Sequence, residues 1–256
     1  MKKKLLITIA NDEYFQPYFL KELLINLRKT NYQITKVFIL KNNSKKSLQS
    51  YLLKNLNKVY LSEFLKLLLL KFNLKLANFF LKKKIINISK KKILIENNIS
   101  FLSEVELSDK IIYKILKKEK YSFIINTGGQ IFENSILKLY KNKIVNIHLS
   151  LLPKYAGVWT MFQQLANNEK YTGITIHKIN NKIDSGKLIL QKKIKLNKKF
   201  SIFENQLNCY TKIPNLLKKC LNKDFKATKI IKTDKIYGYP NNYEWKKFRS
   251  NKGKII

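Results

Sequence analysis

The sequence predicts an α/β fold in which a mostly parallel sheet carries helices on both faces. Three observations point there. Compact apolar runs of strand length at residues 5–10, 34–40 and 122–126 are separated by stretches with helical periodicity, and strands alternating with helices assemble parallel sheets through crossovers. The run at 34–40 is rich in β-branched and aromatic residues, as strands are. Asn126 and Asn146 follow apolar runs, which places them at the carboxyl ends of strands, where ligands bind in such sheets.

Each element has its own signal. Leu5-Leu6-Ile7-Thr8-Ile9-Ala10 is a first core strand, and Tyr18, Phe19, Leu23, Leu24 and Leu27 then recur at helical spacing. Polar residues 41–46 read as a loop after the second strand. Ile93-Leu94 and residues 99–101 are expected as short strands, and Ser108-Asp109 precedes a helix at 111–118. Residues 203–221 read as a helix that Pro214 must kink or restart. A tail with aromatic anchors follows, Tyr237-Gly238-Tyr239-Pro240 and Trp245-Lys246-Lys247-Phe248. The expected organisation is a main domain over 1–200 and a helical and extended C-terminal appendage over 201–256.

Residues 59–84 form an apolar helical insertion in which Lys71, Lys75, Asn78 and Lys82 make one polar stripe. No uncharged run there approaches the ~20 residues a membrane span requires. Two readings stay open. The helix packs in the domain or a dimer interface with its stripe exposed, or it lies on an anionic membrane surface.

Composition narrows the classes. With 256 residues and 45% hydrophobic content the chain can build a substantial core. Its net charge is +36, from 52 Lys plus Arg against 16 Asp plus Glu, yet Arg28 and Arg249 are the only arginines. Nucleic-acid readers favour the bidentate fork of arginine. An excess of Lys, Asn and Ile is what A+T-rich codons produce, so a nucleic-acid partner is allowed by the charge but not favoured. No metal-spaced Cys/His cluster exists, and Cys209 and Cys220 fit buried thiols in a reducing cytoplasm. Met1-Lys2-Lys3-Lys4 runs into a strand too short for a signal sequence. Asn11-Asp12-Glu13-Tyr14 replaces the glycine-rich turn that a dinucleotide would need after the first strand.

The most informative stretch begins at Asn146-Ile147-His148-Leu149-Ser150-Leu151-Leu152-Pro153 and ends at Ile183-Asp184-Ser185-Gly186. Asn146 and His148, two apart on a strand, present their side chains on one face. An amide donor, an imidazole and a later carboxylate, Asp184, make the equipment to stabilise an oxyanion and move a proton near neutral pH.

At these residues the chain resembles the folate-dependent formyltransferases, the superfamily of the methionyl-tRNA, glycinamide ribonucleotide and amino-sugar enzymes. The Asn-x-His-x-Ser-Leu-Leu-Pro block, Thr172-Gly173-Ile174-Thr175-Ile176-His177 and an aspartate 36 residues after His148 carry the resemblance. It implies a Rossmann-like formyltransferase fold, 10-formyltetrahydrofolate as formyl donor and a primary amine as acceptor. Asn146 would donate to the developing oxyanion. A protonated His148 would stabilise it, with its pKa raised by Asp184, which would also take the amine proton. The folate would lie along Asn126, Thr127, Gly128, Gln130, Ile131 and Phe132 and the loop of Asn180, Asn181, Lys182 and Ile183. Ser150, Leu152, Pro153 and Gly157 would shape the acceptor side. No metal is implied.

Departures bear on the acceptor. Leu149 and Ala156 stand where many members have Pro or Gly and Arg. The loop at 41–50 lacks the Arg and Gly of the tRNA enzymes, and Asn11-Asp12-Glu13 replaces a phosphate loop. By elimination an amino sugar moves up. The alternatives are a methionyl-tRNA formyltransferase-like enzyme and a non-catalytic basic protein that binds RNA or anionic surfaces. His177 reads as structural.

Overall fold

The computed structural model describes residues 2–41, 55–72 and 89–256, with the backbone alone over 67–72. Five strands come first: β1 Lys3–Ile9, β2 Tyr32–Leu40, β3 Ser100–Val105, β4 Phe123–Asn126 and β5 Ile144–His148. After the short β6 Ala156–Gly157 come β7 Tyr171–Lys178 and β8 Leu188–Lys195. Seven of these make one sheet in the order β3-β2-β1-β4-β5-β7-β8. The first five run parallel; β7 is antiparallel to β5, and β8 is antiparallel to β7. The chain builds outward from β1 through β2 to β3, then returns to lay β4 on the other side of β1. That reversal makes a crevice at the carboxyl ends of β1 and β4, the kind of place where open α/β sheets bind ligands.

Both faces of the sheet are covered, because its strands alternate between two apolar clusters. Leu5, Ile7, Ile9, Ile125, Val145, Ile174 and Ile176 belong to one cluster. It includes Phe19, Leu20 and Leu23 from α1 Gln16–Leu27 and, from near the C-terminus, Trp245 and Phe248. Leu6, Phe38, Ile124 and Ile144 belong to the other. That face is closed by Ile112 and Leu116 of α4 Lys110–Lys118 and by Ile136 of α5 Asn134–Leu139. Burying a side chain of this size is worth about 1.5–3 kcal/mol, so the double layer anchors the strand ends firmly.

Asn11-Asp12-Glu13 proves to be a helix entry. Asp12 Oδ1 accepts from the backbone N–H groups of Tyr14, Phe15 and Gln16 at 3.1, 2.7 and 3.3 Å, satisfying donors that a helix start leaves orphaned. Ile93-Leu94 is not a strand. It lies in α3 Lys90–Glu96, capped by Ser89, whose side chain accepts from Lys92 N. Two buried apolar neighbours suit either period, and the cap decides. Residues 203–221 form two helices, α7 Ile202–Tyr210 and α8 Ile213–Leu221, with Pro214 in the first turn of the second, where its missing N–H is no loss. Cys209 and Cys220 therefore sit on different helices, both buried, and burial pushes their thiols up to about 12.

The apolar insertion begins as a helix, α2 Leu61–Phe72; residues 73–84 of it lie outside the described residues. Its first turn is tied to the C-terminal helix α9 Asn242–Ser250. Arg249 donates to both oxygens of the buried Glu63 carboxylate, at 3.0 and 2.6 Å, and to the carbonyls of Lys58 and Gly253. Only the planar fork of arginine meets all of these at once. Leu61 and Leu65 remain exposed on the same helix. Among the described residues no helix is long and apolar enough to cross a membrane.

Candidate active site

Four polar residues form one row across four adjacent strands. Thr8 of β1 pairs with Asn126 of β4, Asn126 with Asn146 of β5, and Asn146 with His177 of β7. Strand alternation puts them on the face of Leu6, Ile124 and Ile144, one step beyond those apolar residues towards the carboxyl edge. The row is bonded throughout. Thr8 Oγ1 donates to Asn126 Oδ1 at 2.6 Å, and Asn126 Nδ2 donates to Asn146 Oδ1 at 2.8 Å. Asn146 Nδ2 then lies 3.3 Å from His177 Nε2.

His148 follows Asn146 on the same face, only 7% exposed. Its Nε2 lies 2.8 Å from the carbonyl of Tyr155. A carbonyl only accepts, so Nε2 carries a proton and Nδ1 is the position that can gain one. Nδ1 faces Asp184 Oδ2 at 3.5 Å. The other carboxylate oxygen, Oδ1, is 3.6 Å from His177 Nε2 and 3.5 Å from Asn146 Nδ2. Asp184 thus stands among the three other groups, although it comes from a loop.

That loop is held by strained and crowded backbone. Asp184 has φ 49°, a left-handed conformation that aspartate tolerates better than most residues. Two carboxyl-end contacts belong to the C-terminal tail: Thr233 Oγ1 donates to the Asp184 carbonyl at 3.0 Å, and Ile231 N donates to Gly186 O at 3.0 Å. The opposite loop donates Gly157 N to Asp184 Oδ2 at 2.8 Å. Gly157 has φ +104°, and a Cβ there would sit 2.2 Å from the carbonyl oxygen of Tyr237. Only glycine fits, because β6 pairs there with β9 Ile236–Tyr237.

The electrostatics correct one expectation. Burial lowers the His148 pKa, and the opposing pull of Asp184 and the Tyr155 carbonyl does not restore it. His148 is therefore neutral near pH 7 in the free protein rather than held as an imidazolium, because removing the ring from water costs more than one carboxylate at 3.5 Å returns. Burial also pushes the Asp184 carboxyl up. His177, His148 and the Gly157 N–H together outweigh it and hold Asp184 below the usual carboxylate range.

The remaining expected residues divide between surface and scaffold. Thr127 Oγ1 bonds Gln16, and Gln130 bridges the ends of β2 and β3 through Lys41 O, Val105 O and Leu107 N. Asn180 closes its own loop on Ser185 O and Lys182 N. Phe132 is core. Gly128 is bonded to Asn126. The exposed groups are the apolar Ile131 (74%) and Ile183 (42%), with Asn181 and Lys182 beside the latter. A Cβ on Gly129 would meet nothing within 4 Å. Of the residues expected to shape the acceptor side, Ser150 and Leu152 are buried in the turn: Ser150 Oγ donates to Lys154 O, and Leu152 N to Thr175 Oγ1. Pro153 lines a cleft of about 280 Å³ with Lys154, Tyr155, Glu169, Asp234, Lys235 and Tyr237.

Sequence reasoning did not find Thr8, the Tyr155 carbonyl, Thr233 or the place of His177 beside Asp184. The first and last could have been read from strand register. A backbone carbonyl and a tail contact leave no local signal.

The chain is similar to known proteins. Residues 15–206 match the family model described as formyl transferase. The methionyl-tRNA formyltransferase of Finegoldia magna is 32% identical over 115 residues, 44% of this chain and 37% of that protein. The one from Malacoplasma penetrans is 30% identical over 152 residues, 58% and 48% of the two chains. These alignments span between about a third and a half of such relatives. Among solved structures, phosphoribosylglycinamide formyltransferase from Bacillus halodurans superposes with a TM-score of 0.60 at 16% identity, covering 86% of this chain and 94% of that one. WlaRD, a sugar 3N-formyl transferase solved with dTDP and 5-N-formyl-THF, superposes with 0.59 at 22% identity, covering 93% and 70%. Those two share the fold. With three quarters of its length matched by one family model, the chain belongs to the formyl transferase family.

Proposed function

We propose that this protein transfers a formyl group from 10-formyltetrahydrofolate to a primary amine, with Asn146, His148 and Asp184 as catalytic residues. One observation carries the reading: an amide N–H, an imidazole with a protonatable Nδ1 and an ionised carboxylate converge at the carboxyl edge of β5. The folate supplies an activated formyl carbon, whose oxygen gains negative charge as the amine adds. Asn146 Nδ2 donates to that oxygen, a contribution typically worth about 10²–10³ in rate. His148 Nδ1 takes up the amine proton, and the resulting imidazolium lies between the Tyr155 carbonyl and Asp184; collapse of the adduct then breaks the bond from the formyl carbon to the folate nitrogen, which leaves as tetrahydrofolate with that proton. Burial keeps Nδ1 unprotonated until then, and Asp184 stabilises the charge once it forms. The folate lies along residues 126–132 and 180–183.

For the acceptor we favour an amino sugar. The cleft beside Tyr155 offers Lys154, Lys235, Glu169, Asp234 and two tyrosine rings 5.3 Å apart, a lining suited to hydroxyls and phosphates. Tyr155 belongs to both places, through its ring to the cleft and through its carbonyl to His148. A second reading, formylation of methionyl-tRNA, is favoured by the relatives of 30–35% identity; the net charge of +36 allows it without favouring it. Tetrahydrofolate release in the presence of each acceptor separates them. Turnover with a nucleotide-linked amino sugar and none with methionyl-tRNA supports the first reading, and the reverse supports the second. Failure to bind folate at all removes both.

A further inference from the structure

An amide oxygen and nitrogen are alike in shape, so the usefulness of Asn146 depends on which one faces the reacting atoms. Backbone groups, which cannot exchange roles, decide it here. Gly128 N donates to Asn126 Oδ1 at 3.2 Å, and Gly128 O accepts from Asn126 Nδ2 at 3.0 Å. Thr8 Oγ1 adds a second donor to the same Asn126 oxygen at 2.6 Å. Asn126, 3% exposed, has its orientation imposed by a fixed donor and a fixed acceptor. Its remaining Nδ2 proton points at Asn146, 2.8 Å away, so Asn146 must turn its oxygen inward and its Nδ2 outward. At the other end of the row, His177 Nε2 lies 3.3 Å from Asn146 Nδ2.

We infer that Asn126, anchored by Thr8 and Gly128, is a positioning residue that sets the amide orientation of Asn146 for the reaction. The inference rests on Asn146 being the donor to the formyl oxygen. Asn126 and Thr8 touch no reacting atom. They act at the β1/β4 reversal, where the sheet places two strand ends side by side. A flipped Asn146 would present a carbonyl oxygen to the developing negative charge, turning a stabilising contact into a repulsive one.

Asn126→Asp is the sharpest test. It keeps an acceptor for Gly128 N and Thr8 Oγ1 but offers Asn146 an oxygen in place of a donor. Expected is a fall in kcat of about 10² or more, the scale of losing an oxyanion donor. Asn126→Ala should fall less, and Thr8→Ser should retain wild-type kcat. In an Asn146→Ala background, Asn126→Asp should cost nothing further, since residues that act as a unit are not additive. Independent, multiplicative losses would overturn the inference. A direct readout avoids activity: in protein labelled with ¹⁵N-asparagine, the Asn146 side-chain amide pair is identified by its loss in Asn146→Ala. It should shift markedly in Asn126→Asp and stay put in Thr8→Ser. An unmoved pair in Asn126→Asp would refute positioning whatever the kinetics. Full turnover by Asn146→Ala would instead remove the role assigned to Asn146, while the amide spectra still decide the positioning.

Discussion

Asn146, His148 and His177 stand on neighbouring strands, between two apolar layers, and their spacing follows from register alone. Asp184 stands on a loop in a left-handed conformation, and its place depends on Gly157, Thr233 and the strand pair β6–β9. One half of the site is carried by secondary structure that forms regardless of chemistry. The other is assembled by contacts between segments distant in sequence, including a tail beyond the matched family domain, which ends at residue 206. The lesson is that the strand half sets what the site can do, and the loop half sets whether its charge is in place. Variants of the two halves should therefore fail differently.

The largest single loss belongs to the strand half. His148→Ala is expected to lower kcat by about 10²–10⁴, the usual contribution of a positioned acid–base group, with the thermal midpoint nearly unchanged. His177→Ala should cost roughly tenfold, because that ring supports Asn146 and Asp184 from the side. A loss equal to that of His148→Ala in steady-state assays would make His177 an equal partner in proton transfer.

Asp184→Asn probes the boundary between the halves through pH. His148 must be unprotonated to accept the amine proton, so kcat/KM should fall as pH drops through its pKa. Burial sets that acid limb below the ordinary 6.5, and Asp184 holds it partly up. Removing the carboxylate charge must move the limb to still lower pH while the plateau falls by orders of magnitude. A limb that moves to higher pH in a pH–rate profile would show that Asp184 does not act on His148.

Glu63→Gln leaves both halves alone and breaks the buried pair that ties α2 to α9. Removing one partner of such a pair typically costs about 3–5 kcal/mol, read as a lower denaturation midpoint with kcat of the folded protein kept. Thr233→Val is the mildest change. It removes one hydrogen bond, worth about 1 kcal/mol, and should lower kcat a few-fold with folate KM unchanged. An unaffected kcat would mean that Gly157 and β9 alone hold the Asp184 loop.

The same division explains what could be read before the structure. Strand periodicity revealed the sheet and placed Asn126, Asn146 and His148 at its carboxyl edge, because side-chain alternation needs no tertiary information. Asp184 is legible through the family resemblance, which carries an aspartate 36 residues after the histidine, but the contacts that hold it are not, since Thr233 lies 49 residues away. Ile93-Leu94 misled because two apolar residues carry no period. The imidazolium expectation for His148 failed because burial is a property of the packed protein: Asp184 was visible in the sequence, whereas the desolvation that outweighs it was not.

The central claim is that the Asn146–His148–Asp184 cluster moves a formyl group onto an amine. The most direct measurement follows tetrahydrofolate release from 10-formyltetrahydrofolate with and without a nucleotide-linked amino sugar, and the mass of that sugar, for wild type and Asn146→Ala. The account predicts release that requires the amine, a matching gain of one formyl group, and a loss of about 10²–10³ in Asn146→Ala. Release at the same rate without any amine, or full activity in Asn146→Ala, would contradict it.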